Sequence, residues 1–410
     1  MKKILIIGAV WVEPSSSAAG CRMLQLIELF LKEGFAITFA TTTQKTTNAF
    51  DLKSLGVDEA KIELNASSFD CFIKTLNPTI VIFDRFMIEE QFGWRVADSC
   101  PDAIRILDTE DLHSLRKVRH IAIKNNVSFL EEDLLRSDIA KREIAAIYRC
   151  DLSLIISTFE MKLLQDRFNV DVSLLCHLPF LLEKIDVVSQ QKWKHFDERK
   201  HFVFIGNFIH APNVDVVLQL KKYIWPAIKK ELPNAELHVY GAYPIQQILE
   251  LDNKKEGFSV KGFAENAKEV ISKAKVMLAP IRFGAGIKGK LSDAMLYGTP
   301  SITTLVGAEG MHENLPWNGF VNDDYHFFVK NAIELYTNRE LWEQSQKNGA
   351  QIVNELYSKE QLSIMLLDKI RTLEMNLIQH RNQNFIGSLL QYQTLRSTKY
   401  MSKWIEEKNK

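Results

Sequence analysis

Residues 278–311 read LAPIRFGAGIKGKLSDAMLYGTPSITTLVGAEGM, and they decide how the rest of the chain is understood. An apolar run ends at Ala279, and Pro280 opens a loop that holds Gly284, Gly286 and Gly289 among the cations Arg282, Lys288 and Lys290. A helix is expected over 290–297, stopped by Gly298 and Pro300. The order is strand, basic glycine loop, helix, strand. Glycines let backbone N–H groups close on an oxyanion, and the next helix turns its positive end to the same place. A phosphate or diphosphate is the expected ligand; a solvated basic turn is the plain alternative.

Gly284, Gly289 and Lys290 have the spacing of a Walker A loop, but Leu291 stands where a magnesium-binding Ser or Thr is required. No early strand carries that motif either. A P-loop NTPase is therefore disfavoured.

The run resembles the nucleotide-binding region of GT-B-fold glycosyltransferases, in the large retaining, family-four-like group that includes many bacterial polysaccharide and glycan-assembly enzymes. One branch reads approximately P-L-R-x-G-x-G-x-K-x-K-x-L-E-A-M-x-x-G-x-P-V-V-T-T and then V-G-A-E-G-M. This chain has PIRFGAGIKGKLSDAMLYGTPSITT and VGAEGM. The likeness continues upstream in FIGNFIHAPNVDVV (204–217), ELHVYG (236–241) and VKGFAENAKEVISKAKV (260–276), so it covers most of 201–325. It implies an α/β fold of two Rossmann-like doubly wound domains facing across a cleft, transfer from a nucleotide-sugar with retention, and no obligatory metal or other cofactor.

With 410 residues the chain exceeds one ordinary core, and two domains of ~150 to 200 residues are expected. Lys plus Arg and Asp plus Glu both total 51, which argues against a protein that coats nucleic acid. Five scattered cysteines without C-x-x-C spacing read as reduced thiols of a cytoplasmic protein. The apolar start meets Trp11, Glu13 and Pro14 too soon for a signal peptide and reads as a first buried strand. No stretch reaches the ~18 apolar residues of a membrane span.

Strand signals at 3–8, 35–40, 79–83, 104–107 and 152–156 alternate with helical sequence, the pattern of a doubly wound sheet. The first loop lacks G-x-G-x-x-G, which disfavours a nicotinamide dehydrogenase. Arg22, near the first helix N-terminus, reads either as a ligand contact or as a surface salt bridge. Ligands bind beyond the carboxyl ends of such strands, so Asp84, Arg85 and the run 108–116 (DTEDLHSLR) carry weight. Three readings of that run stay open: helix capping by the acids, a metal site, or Asp111 and His113 polarising the acceptor hydroxyl. The basic stretches 116–124 and 141–149 are either a solvated face or a contact with an anionic membrane or phosphate-bearing lipid.

The expected first domain is 1–182, on the acceptor side, followed by a polar linker 183–200. A nucleotide-sugar-binding domain at 201–374 follows, with a helical segment 375–410 that returns to the first domain and frays at its end. At the second Rossmann turn, Gly206 and Asn207 stand with His210 and Asn213 where many relatives carry Arg and Lys. Phosphate charge then falls to Arg282, Lys288 and Lys290. Asp293 takes the ribose-binding position of relatives, and Ala285 replaces the first of their two glutamates, so backbone groups across Gly284, Gly286 and Ile287 are expected at the sugar. A helix-end carboxylate is the other reading of Asp293. Glu309 is placed either at the ligand or bracing its loop.

The expected reaction moves a sugar to a hydroxyl of a carbohydrate or lipid-linked glycan acceptor, in the cytoplasm or peripherally at the inner face of the membrane. Lys288, Arg282, His113 and Asp111 are the expected catalytic residues. A nucleotide-sugar epimerase of the same architecture and a non-catalytic partner subunit are the alternatives.

Overall fold

A computed structural model describes residues 2–392 and 395–408. Two parallel sheets organise the chain. The first takes β1 (Lys3–Gly8), β2 (Ala36–Thr41), β3 (Asp58–Lys61), β4 (Ile80–Asp84), β5 (Ile104–Asp108), β6 (Leu152–Ile155) and β7 (Leu175–His177), in the order β3-β2-β1-β4-β5-β6-β7. The second takes β8 (Lys200–Ile205), β9 (Leu237–Tyr240), β10 (Phe258–Gly262), β11 (Ala274–Ala279), β12 (Ser301–Thr303) and β13 (Gly319–Val321), in the order β10-β9-β8-β11-β12-β13. This is the α/β architecture of two doubly wound domains.

The central strands are apolar along their length because helices cover both faces. Ile4, Leu5, Ile6 and Ile7 of β1 are fully buried, as are all five residues of β4 and of β5. Strand order reverses beside β1 and beside β8, which opens a crevice at the carboxyl end of each sheet. Ser17 caps the helix Ala18–Lys32 by accepting from the Gly20 N–H at 3.0 Å, and so sets that helix's N-terminus at the first crevice.

Two boundaries differ from the sequence expectation. The stretch 183–200 is no loose tether: Ile185 and Phe196 join the core of the second domain, and the buried Arg199 donates to the Tyr297 carbonyl and the Thr299 hydroxyl. The return to the first domain starts at Lys359, not at Met375. Helix Lys359–Gln383 sends Leu366, Leu367, Ile370 and Leu373 into the core that holds Ile4 and Ile6. Further on, Arg381 donates to both carboxylate oxygens of Asp151, at 2.7 and 2.8 Å. Helix Leu395–Lys408 continues where a frayed end was expected, while residues 393–394 and 409–410 lie outside the described residues.

The two crossings between domains are joined. Leu182 donates to the Tyr357 carbonyl at 2.9 Å, and Lys359 donates back to the Leu182 carbonyl at 3.0 Å. Among the described residues no helix is long and apolar enough to cross a membrane.

Candidate functional site

The glycine loop leaves the end of β11 and enters helix Gly289–Leu296, with Lys288 as its N-cap. It does not face open solvent. It is pressed against the first domain, and each contact has a residue-level cause. Gly286 has φ +61°, and a Cβ there would lie 2.9 Å from the Asp111 Cβ. A Cβ on Gly289 would lie 2.6 Å from that of Ala18. Only glycine permits these approaches. Ala285 joins the apolar cluster of the first domain, and Phe283 stacks on His120 with ring centroids 4.5 Å apart.

Polar contacts close the same seam. The Gly286 N–H donates to Glu160 Oε1 at 2.8 Å, and Leu112 N–H donates to the same oxygen at 2.9 Å. Arg119 donates to both Glu309 oxygens, at 2.7 and 2.8 Å, and to the Gly284 carbonyl at 3.0 Å. Asn207 donates to the Ser16 carbonyl at 3.2 Å. Glu160 is fully buried, and burial, with Asp111 nearby, pushes its carboxyl up to about 8.

Two ammonium groups sit together in this seam. Lys288, 8% exposed, donates to the Gly286 carbonyl at 2.7 Å. Burial pulls it down to about 8 against the opposing field of Glu309, Glu160 and Asp111. Lys290 donates to Asn213 Oδ1 at 2.9 Å, and burial together with Lys288 brings it also to about 8. Asn213 in turn donates to the Asn207 carbonyl at 2.8 Å, so the turn after β8 positions Lys290. A Cβ on Gly206 would lie 2.7 Å from the Asn213 side chain, which explains the glycine there. Asp293, one helical turn beyond Lys290, is pushed up to about 7 by burial, and its side chain has no hydrogen-bond partner among the described residues.

Across the seam, Asp111 ion-pairs with Arg116 and lies 3.5 Å from His113 Nε2. Burial works to raise Asp111, but Arg116, His113 and His210 hold it below its ordinary value. Burial brings His113 and His210 to about 4, so both imidazoles are neutral at pH 7. His210 belongs to the second domain and feels Lys290 as well as Asp111 and His113. Lys288, Lys290, Asp293, Asp111, His113 and Glu309 thus gather along one interdomain seam, linked by their fields, with Ile287 buried in the second core.

Several sequence readings are corrected here. Arg22 is not the surface pair of the sequence reading: 1% exposed, it donates to Asp108 at 3.0 Å and to the carbonyls of Leu178 and Pro179. Arg282 is committed to Asp215, with Nε 2.9 Å from Oδ2, so it reaches the cleft already neutralised. Glu309 braces its loop through Arg119. The acids of 108–113 do not converge as metal ligands, because Arg22 and Arg116 occupy Asp108 and Asp111. Among the described residues the group with metal-ligand spacing is His201, Glu236 and His238, at the starts of β8 and β9. That is the end of the sheet opposite the glycine loop.

Sequence reasoning missed Glu160, and it read Arg119 only as part of a basic stretch and Asn213 only as a departure at the second Rossmann turn, because their partners are supplied by folding. Glu110, read in sequence only as one acid of the run 108–116, has φ +62° and is pushed well above its ordinary value by burial and by Asp108 and Asp84. An acidic residue at positive φ leaves no mark in the sequence.

Residues 199–338 match the family model described as Glycosyl transferases group 1, a span that takes in the motifs from Gly206 to Gly310 on which the resemblance rests. No curated protein matches by sequence. Among solved structures, the fold is similar to that of a TarM mutant from S. aureus in complex with fondaparinux, alpha-GlcNAc-glycerol and UDP, with a TM-score of 0.70 and 11% identity over 90% of this chain and 99% of that one. Sucrose-phosphate synthase from Thermosynechococcus elongatus is similar with a TM-score of 0.65 and 15% identity, over 91% and 99% of the two chains. A glycosyltransferase from Rickettsia africae ESF-5 is similar with a TM-score of 0.63 and 10% identity, over 90% and 97%. The fold is that of the GT-B glycosyltransferases, and the family match supports glycosyl transfer in general.

Proposed function

We propose that this GT-B-fold chain moves a sugar from a nucleoside-diphosphate sugar to a hydroxyl of a carbohydrate or glycan-lipid acceptor, with retention at the anomeric carbon and without a metal. One observation carries the reading: the ammonium groups of buried Lys288 and half-buried Lys290 sit at the N-terminal end of helix Gly289–Leu296, in the seam shared by both domains. Withdrawing two like charges even partly from water in one place is costly unless anions compensate them. A diphosphate provides that compensation.

The chemistry follows from where charge develops. As the glycosidic bond breaks, negative charge grows on the departing diphosphate, and Lys288, Lys290 and the helix end stabilise it where water is excluded. The same cations supply what a metal would supply elsewhere. In this reading Asp293, whose side chain makes no hydrogen bond among the described residues, accepts from the ribose hydroxyls. On the other wall, in the same reading, neutral His113, 3.5 Å from Asp111, takes a hydrogen bond from the acceptor hydroxyl.

A thermal-shift screen with nucleoside diphosphates tests donor binding, since a ligand of the native state must raise its melting temperature. Transfer from radiolabelled donors, with and without EDTA, then tests turnover and metal independence. Loss of transfer in EDTA would remove the second claim. NMR of the product anomer tests retention.

A further inference from the structure

A second space adjoins the donor cations, and its wall is one-sided in chemistry. A cavity of about 250 Å³ opens between helices His113–Lys124 and Asp138–Arg149 of the first domain and the turn at His210 with Phe283 of the second. Its polar lining is Arg116, Lys117, Arg142 and the imidazoles of His113, His120 and His210, with no carboxylate among the lining residues. Arg116 and Arg142 keep Asp111 and Glu90 as ion-pair partners. Lys117 and His120 have no carboxylate partner among the described residues. Phe86 and Phe283 supply apolar wall, and the stacking of His120 on Phe283 joins the two domains across it. His210 stands on this wall and within the field of Lys290, which sets the cavity beside the loop cations.

A neutral sugar offers as many donors as acceptors, and its sites mix carboxylates and amides with N–H groups. A wall on which Lys117, two arginines and three imidazoles face no lining carboxylate suits an oxyanion instead. We infer that this cavity is the acceptor subsite and that the acceptor carries a phosphate close to the hydroxyl that receives the sugar. The inference rests on the glycosyl-transfer reading. Lys117 and His120 are specificity residues here: they hold the phosphate, while the reacting hydroxyl lies toward His113 and the donor.

The test keeps the two readings apart. The full chain is saturated with whichever of UDP, ADP, GDP or TDP raises its melting temperature most, which blocks the donor phosphate site. Glycerol 3-phosphate and glycerol are then titrated by calorimetry, and phosphatidylcholine vesicles with and without phosphatidic acid are tested by flotation. The parent should bind the phosphate probe at least about tenfold more tightly than the neutral one. The variant Lys117→Gln with His120→Phe, which preserves the ring stack, should lose about tenfold in that binding and keep its nucleotide affinity. Binding of the soluble probe alone identifies a soluble phosphorylated glycan, and binding of the phosphatidic acid vesicles as well identifies a lipid headgroup. Equal binding of charged and neutral probes, or a variant indistinguishable from the parent, overturns the inference and leaves glycosyl transfer standing. A parent that binds no nucleoside diphosphate overturns both.

Discussion

Arg119 of the first domain grips Glu309 of the second through two parallel N–H···O bonds, and its guanidinium reaches the Gly284 carbonyl of the glycine loop at 3.0 Å. One side chain therefore joins the glycine loop, the loop after β12 and the wall of the first domain. The pair is largely withdrawn from water, with side chains 8% and 17% exposed.

Arg119→Ala leaves Glu309 without its partner and should destabilise the protein by about 3 kcal/mol, the scale for breaking a largely buried pair from one side. Glu309→Gln in the same background should cost much less than it does alone, because the two residues act as a unit. Urea unfolding of the four proteins of this cycle measures the coupling. Additive losses would show that the clamp is incidental.

Lys288→Ala should lower turnover by about 100-fold, the scale of one lost charge contact in the transition state, with the fold intact by circular dichroism. Arg282→Ala should change turnover far less, since Asp215 already neutralises that guanidinium. Initial rates on the two variants decide the assignment. Equal losses would return Arg282 to the reacting centre.

Donor affinity should depend on pH with a definite sign. In the free protein Lys288 and Lys290 lose their protons as pH rises through about 8, because burial has lowered both from 10.5. A diphosphate favours the charged forms, so binding takes up protons, and affinity should fall between about pH 7 and about pH 9. Calorimetry in two buffers of different ionisation enthalpy reads the uptake directly. A flat profile with no uptake would contradict the burial of these groups against the ligand.

Gly286→Ala and Gly34→Ala form a paired experiment. Both glycines have positive φ, +61° and +79°, but Gly34 has open space around it while Gly286 is pressed against Asp111 and Ile156. Gly34→Ala should cost about 1 kcal/mol of backbone strain alone. Gly286→Ala adds a steric clash that pushes Asp111 away from the donor loop, so it should also reduce kcat. Melting temperatures and rates on the two variants separate strain from displacement. If the two glycines prove equivalent in both, the loop does not touch the opposite wall in solution.

The alternation of strand and helix was legible because the central strands are buried on both faces and so read as unbroken apolar runs, as in β1 and β4. Strand β3 is DEAK, an edge strand with one neighbour, and no apolar signal marks it. In the linker, a polar average concealed Ile185, Phe196 and Arg199, single anchors that fix it to the second core. The loop cations were visible because glycine and lysine keep a local spacing. Their partners were not: Glu160 reaches Gly286 from 126 residues away and Arg119 reaches Glu309 from 190. Arg282 shows the limit most plainly, since its charge is evident in sequence and its cancellation by Asp215 is not.

The doubled crossing at Leu182 and Tyr357 sets how the cleft can open. A lone tether would let the halves swivel and drift apart, exchanging orientation freely. Two strands stitched to each other behave as a door hinge with both leaves pinned, leaving one swing as the soft coordinate. On the proposed function, entry of donor and exit of spent nucleotide share that swing, and a crosslink between the two crossings at residues 182 and 357 should leave it untouched.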